Sequence, residues 1–250
     1  GCIEQTTSAA FPQLYLDVIT DLSTAEAGDV QKNVQAAVDR LQQFMTSAGG
    51  LGYWPGDSTP YVYATVYATH FLLEAERRGY VVPAALKRGV LSYLRSRVGA
   101  WSWGIDRDDL VQAYALYDLA LAGEPELGAM NRMREKQNLP VEARFKLAGA
   151  YALAGQRQEA QRLVSGQIPP ISPYSELGGT YGSALRDLAM LAEGYLVAEM
   201  EDAAIPLINE ISKSLAGHYW YSTQTTAYAL LAIGKYLEKR LNMSGTERIE

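Results

Sequence analysis

A weak internal repeat runs through the sequence and constrains its fold more than any other feature. The tetrapeptide Ala-Tyr-Ala-Leu occurs at 113–116, 150–153 and 227–230, and the related Leu-Ala-Met-Leu lies at 188–191. Successive copies begin 37, 38 and 39 residues apart, with second helical stretches between them. Because helical-hairpin repeats have periods of this order, the pattern predicts helix pairs that form either an open solenoid or a closed ring.

Two features favour the closed ring. One helix of each pair is apolar on all sides, as in 113–122 and 227–237, and neither end of the chain carries an obvious polar cap. We therefore predict an all-α fold, an α/α toroid of six hairpins, with residues 1–250 forming a single domain. The inner helices are expected near 6–20, 60–78, 107–122, 141–154, 181–197 and 223–240. The outer helices are expected near 29–47, 83–97, 126–137, 157–166 and 202–214, with the sixth missing or truncated.

Composition excludes several functional classes. The net charge of −6 argues against nucleic-acid binding and against attraction to anionic membrane surfaces. No stretch approaches the ~18–20 consecutive apolar residues of a membrane span, so we expect no direct membrane contact. A single cysteine cannot form an intrachain disulfide or a cysteine-based metal site, and two histidines make zinc catalysis unfavourable. We expect neither a metal nor a cofactor.

The only cysteine, Cys2, stands three residues before Gln5. A thiol at this spacing can attack the side-chain carboxamide: the C–S bond forms, the C–N bond breaks and ammonia leaves. Forced proximity favours the reaction, because well-oriented intramolecular partners reach effective molarities of ~10⁵ M or more. The sequence thus predicts an internal thioester between Cys2 and Gln5, which would act as a single-use covalent trap rather than a turnover catalyst.

Aromatic residues are expected to surround this pair. In a ring, all inner helices run the same way, so the loops before them lie at one end, together with Cys2 and Gln5. A thioester survives only where water is excluded, and donors at the first helix N-terminus could stabilise an oxyanion. The predicted shielding residues are Tyr53, Trp54, Trp101, Trp103, Tyr174, Tyr219, Trp220 and Tyr221.

Three motifs are similar to those of the alpha-2-macroglobulin and complement family. Residues 1–5, Gly-Cys-Ile-Glu-Gln, resemble its Cys-x-Glu-Gln thioester motif, which includes Glu4. Residues 221–227 resemble the Ser-Thr-Gln segment that opens the last inner helix of the same domain. Residues 52–56, followed by 67–73, resemble the bacterial branch. The motifs occur in the family's order over nearly the whole chain.

The resemblance implies the toroid and a role in covalent protease trapping. In bacterial members the parent is a large periplasmic protein, often a lipoprotein. A protease cuts a bait region, and the exposed thioester acylates a lysine amine of the attacker. The chain begins one residue before the motif, without Met, so we expect a fragment of a larger multidomain protein. The expected partners are target proteases and the other domains of the parent.

The resemblance also helps to predict which kind of nucleophile attacks the thioester. Some complement members carry a histidine in the loop before the third inner helix, where it assists transfer to hydroxyls. The corresponding loop, 100–109, contains no histidine here. Hydroxyls are poor nucleophiles without a base, so we predict direct attack by amines. His218, before the last inner helix, is an alternative base, and His70 is interpreted as an interior packing residue.

Three other functions are compatible with parts of the sequence. Asp106, Asp108 and Asp109 match the Asp-x-Asp-Asp acid of class II terpene cyclases, which need a neutral acid in an aromatic pocket. The same cluster is also typical of a solvated helix start. An α/α-barrel glycosidase would use carboxylates such as Asp57 and Asp106. A non-reactive toroid would use its aromatic end for docking.

Overall fold

The computed structural model describes residues 1–102 and 108–246, and it confirms the predicted all-α toroid. The α-helices are α1 (Ile3–Ala10), α2 (Leu16–Ile19), α3 (Thr24–Leu41), α4 (Val62–Arg77), α5 (Ala84–Ala100), α6 (Asp109–Leu121), α7 (Leu127–Arg134), α8 (Val141–Leu153), α9 (Arg157–Leu163), α10 (Ala184–Val197), α11 (Glu201–Leu215) and α12 (Thr223–Thr246). Short 3₁₀ segments lie at Phe11–Tyr15 and Gln42–Phe44.

The inner helices close into a ring. α1 contacts α4, and contacts then run from α4 to α6, α8, α10 and α12 before returning to α1. The outer helices α3, α5, α7, α9 and α11 each pack against an inner helix, and within the described residues α12 has no outer partner after it. Closure places the first and last inner helices side by side.

Inner and outer helices differ in which faces they bury. Every residue of α6 from Asp109 to Ala120 is buried, because the helix packs against neighbours on all sides. In α3 only Val34, Ala37, Val38 and Leu41 are buried, so that its other faces meet solvent. This amphipathic outer helix starts with a capping box, in which Ser23 accepts from the Glu26 N–H and the Glu26 carboxylate accepts from the Ser23 N–H at 2.8 Å.

The repeat has a common helix ending. α4, α6 and α8 are followed by glycines with positive φ: Gly79 at 90°, Gly123 at 80° and Gly155 at 80°. In each case the next N–H reaches back to a carbonyl in the last turn, as Tyr80 does to Ala75 at 3.0 Å. This is the Schellman arrangement, which a residue without Cβ adopts without strain. After α10 the same position is Glu199, with φ 58°.

The first inner helix departs from the prediction of one helix near 6–20. It is interrupted by the 3₁₀ segment Phe11–Tyr15, which separates α1 from α2. Pro12 explains the interruption, since it has no N–H to donate and its ring clashes with the carbonyl four residues earlier. The altered path brings Tyr15 against Gly234 of α12. A side chain at position 234 would clash with Tyr15, because its Cβ would lie 2.4 Å from the Tyr15 Cβ. None of the described helices is long and apolar enough to cross a membrane.

Candidate functional site at the helix N-terminal end

Cys2 and Gln5 lie together at the start of α1. Cys2 is the N-cap residue, with extended backbone geometry, and it is buried. The Gln5 side chain folds back so that its Oε1 accepts a hydrogen bond from the Cys2 N–H at 3.3 Å. The pair thus has the arrangement of a capping box. The helix geometry by itself holds the carboxamide over the residue that carries the thiol.

Gly1 leaves room for this arrangement. A Cβ at Gly1 would lie 3.0 Å from Gln5 Oε1 and 3.4 Å from Gln5 Cβ. The Gly1 carbonyl in turn accepts a hydrogen bond from Arg40 Nη2 of α3 at 3.1 Å. A larger residue at position 1 would therefore press on the carboxamide, whereas glycine lets Gln5 fold back.

Glu4 links the first inner helix to the last. It is buried, and its Oε1 accepts from Ser8 Oγ at 2.7 Å within α1 and from Thr223 Oγ1 of α12 at 2.9 Å. Ser8 Oγ also lies 3.1 Å from the Tyr67 hydroxyl of α4. Glu4 therefore has a structural partner in the Ser-Thr-Gln segment, which accounts for its place beside the reactive pair.

Tyr53 is the predicted shielding residue whose loop is bonded beside Cys2. Its carbonyl accepts from the N–H of Ile3, the residue after Cys2, at 3.1 Å. The Tyr181 hydroxyl donates to the Tyr53 hydroxyl at 2.8 Å. Interactions with Cys2 first and then with Tyr181 raise the pKa of the Tyr53 hydroxyl above its usual value. Tyr53 therefore stays protonated beside the sulfur at neutral pH.

The other predicted shielding residues are spread over the same end of the ring. Trp54 is half exposed and packs edge-on against Tyr53, with ring centroids 5.4 Å apart. Trp101 is buried beside Asp108, Val111 and Gln112. Trp103 lies outside the described residues.

Four of the predicted shielding residues line a groove. Its volume is about 940 Å³, and its lining includes Tyr174, Tyr219, Trp220 and Tyr221, together with Ser222. Trp220 is fully exposed, whereas Tyr221 is partly buried and its hydroxyl donates to the Ser214 carbonyl at 3.4 Å. Within residues 1–102 and 108–246 none of these four side chains is hydrogen-bonded to Cys2, and their shielding role stays a prediction.

Two acidic residues of the enzyme alternatives, Asp57 and Asp109, have structural partners. Asp57 Oδ2 accepts from the Trp54 N–H at 2.8 Å and so stabilises the turn that carries Tyr53. Asp109 is paired with Lys136 Nζ at 2.6 Å, which is the opposite of the isolated neutral acid that alkene protonation needs. Asp108 is the N-cap residue of α6, and Asp106 lies outside the described residues.

Arg186 is a residue of this end that sequence reasoning missed. It is almost fully buried, and its Nη1 donates to the Tyr63 hydroxyl at 2.9 Å, to Gln224 Oε1 at 3.3 Å and to the Thr180 carbonyl at 2.8 Å. Its Nε donates to Asp187 at 2.8 Å. Arg186 thus connects α4, α10, α12 and the loop that carries Tyr181. An arginine within an apolar inner helix was the signal available in the sequence.

A second polar cluster, also missed, fills the centre of the ring. Glu193 Oε2 lies 2.6 Å from Lys146 Nζ, and its Oε1 lies 2.7 Å from Lys235 Nζ. Lys235 is also 2.7 Å from Glu74. His70, as predicted, is an interior residue: its Nδ1 is 2.8 Å from the Tyr114 hydroxyl. We call Glu74, Lys146, Glu193, Lys235 and His70 the central cluster.

Burial and pairing set the charges in this cluster. Burial lowers the pKa of His70 to about 4, so that it is neutral at pH 7. Burial alone would raise the pKa of Glu193, but Lys146 and Lys235 hold it below its usual value. Burial raises the pKa of nearby Asp118 well above its usual range, and neither of its carboxyl oxygens has a hydrogen-bond partner. Two lysines thus face two glutamates.

No group of three or more His, Cys, Asp or Glu side chains is arranged to hold a metal ion within residues 1–102 and 108–246. His218 is exposed on the loop before α12.

Comparison with known sequences finds relatives of one kind. No family model matches the chain. The alpha-2-macroglobulin of Escherichia coli (strain K12) is 30% identical to it over 255 residues, which cover 93% of this chain. The alpha-2-macroglobulin of Xylella fastidiosa (strain Temecula1) is 26% identical over 98% of the chain. The homologues of this chain are bacterial alpha-2-macroglobulins. The chain spans 15% of the E. coli relative and 16% of the Xylella one.

Solved alpha-2-macroglobulin structures share the toroid. Native E. coli alpha-2-macroglobulin, spanning the residues from domain MG7 to the C-terminus, is similar with a TM-score of 0.77 and 25% identity, covering 94% of this chain and 39% of that one. E. coli alpha-2-macroglobulin activated by porcine elastase is similar with a TM-score of 0.75 and 25% identity, over 95% of this chain and 23% of that one. The toroid is therefore a segment of much longer alpha-2-macroglobulins.

Proposed function

We propose that this chain is the thioester domain of a bacterial alpha-2-macroglobulin-like protease inhibitor. In this proposal Cys2 and Gln5 form an internal thioester that covalently traps attacking proteases through their lysine amines. The observation that carries the proposal is the start of α1, where buried Cys2 and the folded-back Gln5 share a hydrogen bond at 3.3 Å. The homology and the E. coli protein activated by porcine elastase support it.

The chemistry of trapping takes two steps. In the first, the Cys2 sulfur bonds to Gln5 Cδ, the C–N bond breaks, and ammonia carries away the thiol proton. In the second, a lysine amine bonds to the same carbon, the C–S bond breaks, and the proton lost from nitrogen ends on the sulfur. Each domain acts once, because the second step leaves a stable amide.

Amines are the proposed nucleophiles. His70 is buried in the centre of the ring, and His218 is on an exposed loop. Among the described residues, neither histidine is hydrogen-bonded to Cys2 or Gln5. Methylamine should therefore be incorporated far faster than glycerol, and His218→Gln should leave both rates unchanged. Efficient glycerol esterification that His218→Gln abolishes would instead identify His218 as the base.

Intact mass spectrometry tests the thioester. The chain, with and without methylamine, is compared with Cys2→Ala, Gln5→Glu and the control Gln13→Glu on the following 3₁₀ segment. A mass short by one ammonia, a thiol that iodoacetamide detects only after methylamine, and one amine added at Gln5 would establish it. Both site variants should lose all three signals, whereas Gln13→Glu keeps them. A free thiol and a full mass in both this chain and its longer parent would favour a non-reactive binding module.

The setting of the parent protein is part of the proposal. We propose a periplasmic location, with the other domains of the parent as the immediate neighbours of this one. Support comes from the family resemblance alone, and cell fractionation with an antibody to this chain tests it. Recovery of the parent with cytoplasmic markers would contradict the proposal.

A further inference from the structure

A short hairpin, residues 174–183, lies just before α10 at the N-terminal end of the inner helices. Ser175 and Ser183 pair in an antiparallel bridge, and the Glu176 N–H donates to the Gly182 carbonyl at 2.8 Å. We call residues 174–183 the strap. The thioester proposal makes no use of this segment.

The two ends of the strap are anchored to the last two inner helices. The Tyr174 hydroxyl donates to the Asp187 carboxylate of α10, and Ser183 Oγ lies 2.7 Å from Thr225 Oγ1 of α12. Asp187 is itself fixed by Arg186, whose Nε donates to it at 2.8 Å. The base of the strap is therefore fixed to α10 and α12.

The tip of the strap bonds to the opposite side of the ring. The Tyr61 hydroxyl donates to the Gly179 carbonyl at 2.6 Å, and the Tyr181 hydroxyl donates to the Tyr53 hydroxyl at 2.8 Å. Both acceptor and donor on that side belong to the 53–61 segment, which precedes α4. In the ring order α1, α4, α6, α8, α10, α12, the helices α4 and α10 are three places apart, the greatest separation in a ring of six. The strap thus crosses the end of the ring.

Tyr181 is held in an uncommon backbone conformation. Its φ is 52°, which a residue with a Cβ adopts only at a cost in free energy. Arg186 fixes the neighbouring backbone, since its Nη1 donates to the Thr180 carbonyl at 2.8 Å. Such strain persists where surrounding contacts over-determine the backbone, and it clusters at functional sites. Here the strained residue directs its hydroxyl at the 53–61 segment.

The segment that the strap reaches is bonded beside the reactive pair. The Ile3 N–H is one of the donors at the start of α1 that no carbonyl of the helix can pair. It donates to the Tyr53 carbonyl at 3.1 Å. Cys2 is buried, whereas Gln5 is exposed. The sulfur side of the pair is therefore the side that the fold covers.

We propose that the strap holds the 53–61 segment against the start of α1 and so limits access to Cys2, with Tyr61 and Tyr181 as its positioning residues. This inference rests on the proposed function, in which the thioester survives only while water is excluded. Hydrolysis bonds a water oxygen to Gln5 Cδ, breaks the C–S bond, and leaves a carboxyl group at position 5 and a thiol on Cys2. Opening of the strap thereby sets the lifetime of the thioester.

Each of the two hydroxyls contributes one neutral hydrogen bond to the closed position of the strap. Loss of such a bond shifts a local opening equilibrium by about fivefold. Groups that react only in the open state react in proportion to its population. Amide exchange, thiol alkylation and thioester hydrolysis should therefore all become faster by the same factor, although their chemistries differ.

Phenylalanine variants of the 250-residue chain test the strap. Hydrogen exchange of the Ile3 N–H, followed by NMR, should be about fivefold faster in Tyr181→Phe and in Tyr61→Phe. The matched control is Tyr151→Phe, which removes a hydroxyl hydrogen bond of 2.7 Å to Asn131 between α8 and α7. It should lower the free energy of unfolding by a similar amount but leave the Ile3 exchange unchanged. Circular dichroism verifies that each variant folds.

Alkylation of the free Cys2 thiol is a readout that does not require the thioester. Iodoacetamide should react about fivefold faster in Tyr181→Phe and in Tyr61→Phe. The factor should be the same at each pH from 6.5 to 9, because the change is in access and not in ionisation of the thiol. In a Tyr53→Phe background, Tyr181→Phe should have no further effect, since its hydroxyl acts through that of Tyr53. A further effect there would overturn the role of Tyr181.

Hydrolysis separates the inference from the function on which it rests. Where the thioester forms, its hydrolysis adds the mass of one water and frees the thiol, and it should be about fivefold faster in both strap variants. A chain that never forms a thioester, yet shows faster Ile3 exchange and faster alkylation, would refute the proposed function and keep the strap. Unchanged exchange and alkylation in both variants would overturn the strap, whether or not the thioester forms.

Discussion

The centre of the ring and the end that carries Cys2 both bury polar side chains, but they hold them differently. In the centre, charges on the middle turns of four inner helices meet one another, as Lys146 and Lys235 meet Glu193. At the end, the Cys2 N–H donates to the Gln5 carboxamide, and the loop that carries Tyr53 is bonded beside them. The buried charges at this end, Glu4 and the Arg186–Asp187 pair, are held largely by hydroxyl, amide and carbonyl groups. The difference predicts that changes in the centre cost more stability than changes at the end that carries Cys2.

The largest effect on stability is expected from breaking the central cluster. Glu193→Gln leaves Lys146 and Lys235 buried with too little negative charge, and removing one partner of a buried pair costs about 3–5 kcal/mol. Urea unfolding at pH 7 measures the loss. The control is Glu238→Gln, whose partners Arg77 and Arg78 are partly exposed, and which should cost under ~1 kcal/mol. Equal losses of unfolding free energy in the two variants would contradict a larger contribution from the central cluster.

The second effect is a pH dependence that comes from His70. The pKa of His70 is about 4 in the folded chain and near 6.5 in the unfolded chain. The contribution of neutral His70 to the free energy of unfolding is therefore fully present above pH 6.5. As pH falls from 6.5 to 4 the unfolded chain takes up the proton first, and about 3 kcal/mol of stability is lost. His70→Gln should flatten this part of the stability profile, whereas His218→Gln should not. If His70→Gln left the slope of stability against pH unchanged, the pH dependence could not come from His70.

A smaller effect is expected at the reactive end, where ring closure depends on single hydrogen bonds. Thr223→Val removes one of two hydroxyl donors from buried Glu4 and should cost about 1 kcal/mol. Thermal unfolding compares it with Thr226→Val on the same helix, whose hydroxyl is not part of this network. A loss as large as that of Glu193→Gln would erase the distinction between the two regions.

The smallest effect is expected at the groove. Trp220 is fully exposed, so Trp220→Ser should change the free energy of unfolding by less than ~0.5 kcal/mol. Chemical denaturation of the variant tests this, with Tyr228→Ser in the buried interior as the contrasting change. A destabilisation of more than ~1 kcal/mol would mean that Trp220 packs against the domain in solution.

The toroid was predictable because its signals are local and repeated. The spacing of the Ala-Tyr-Ala-Leu copies set the helix pairs, and apolar positions on every side marked α6 and α12 as inner helices. Pro12 was visible in the sequence, yet the expected helix near 6–20 ran through it, although a proline in a helix interior breaks the hydrogen-bond ladder. The prediction was wrong because it gave this proline too little weight.

The candidate site was predictable only where neighbours in sequence are neighbours in space. Cys2 and Gln5 are three residues apart, so the helix itself brings them together. The contacts of Tyr53 with Tyr181, and of Arg186 with Tyr63, join distant parts of the chain and depend on ring closure. Charged residues such as Lys146 on an apolar helix signal a buried partner, but they do not say which residue it is.

The hydrogen bond between Thr223 and Glu4 has a consequence for the order of assembly. Its partners are separated by 219 residues, so it forms only when the last inner helix docks on the first. Contacts this remote form slowly, since a long loop must close before they can contribute. During synthesis, Cys2 emerges well before the helix that completes its surroundings. In the proposed function, closure of the thioester is thereby coupled to completion of the ring, and a prematurely ended chain would present an ordinary thiol.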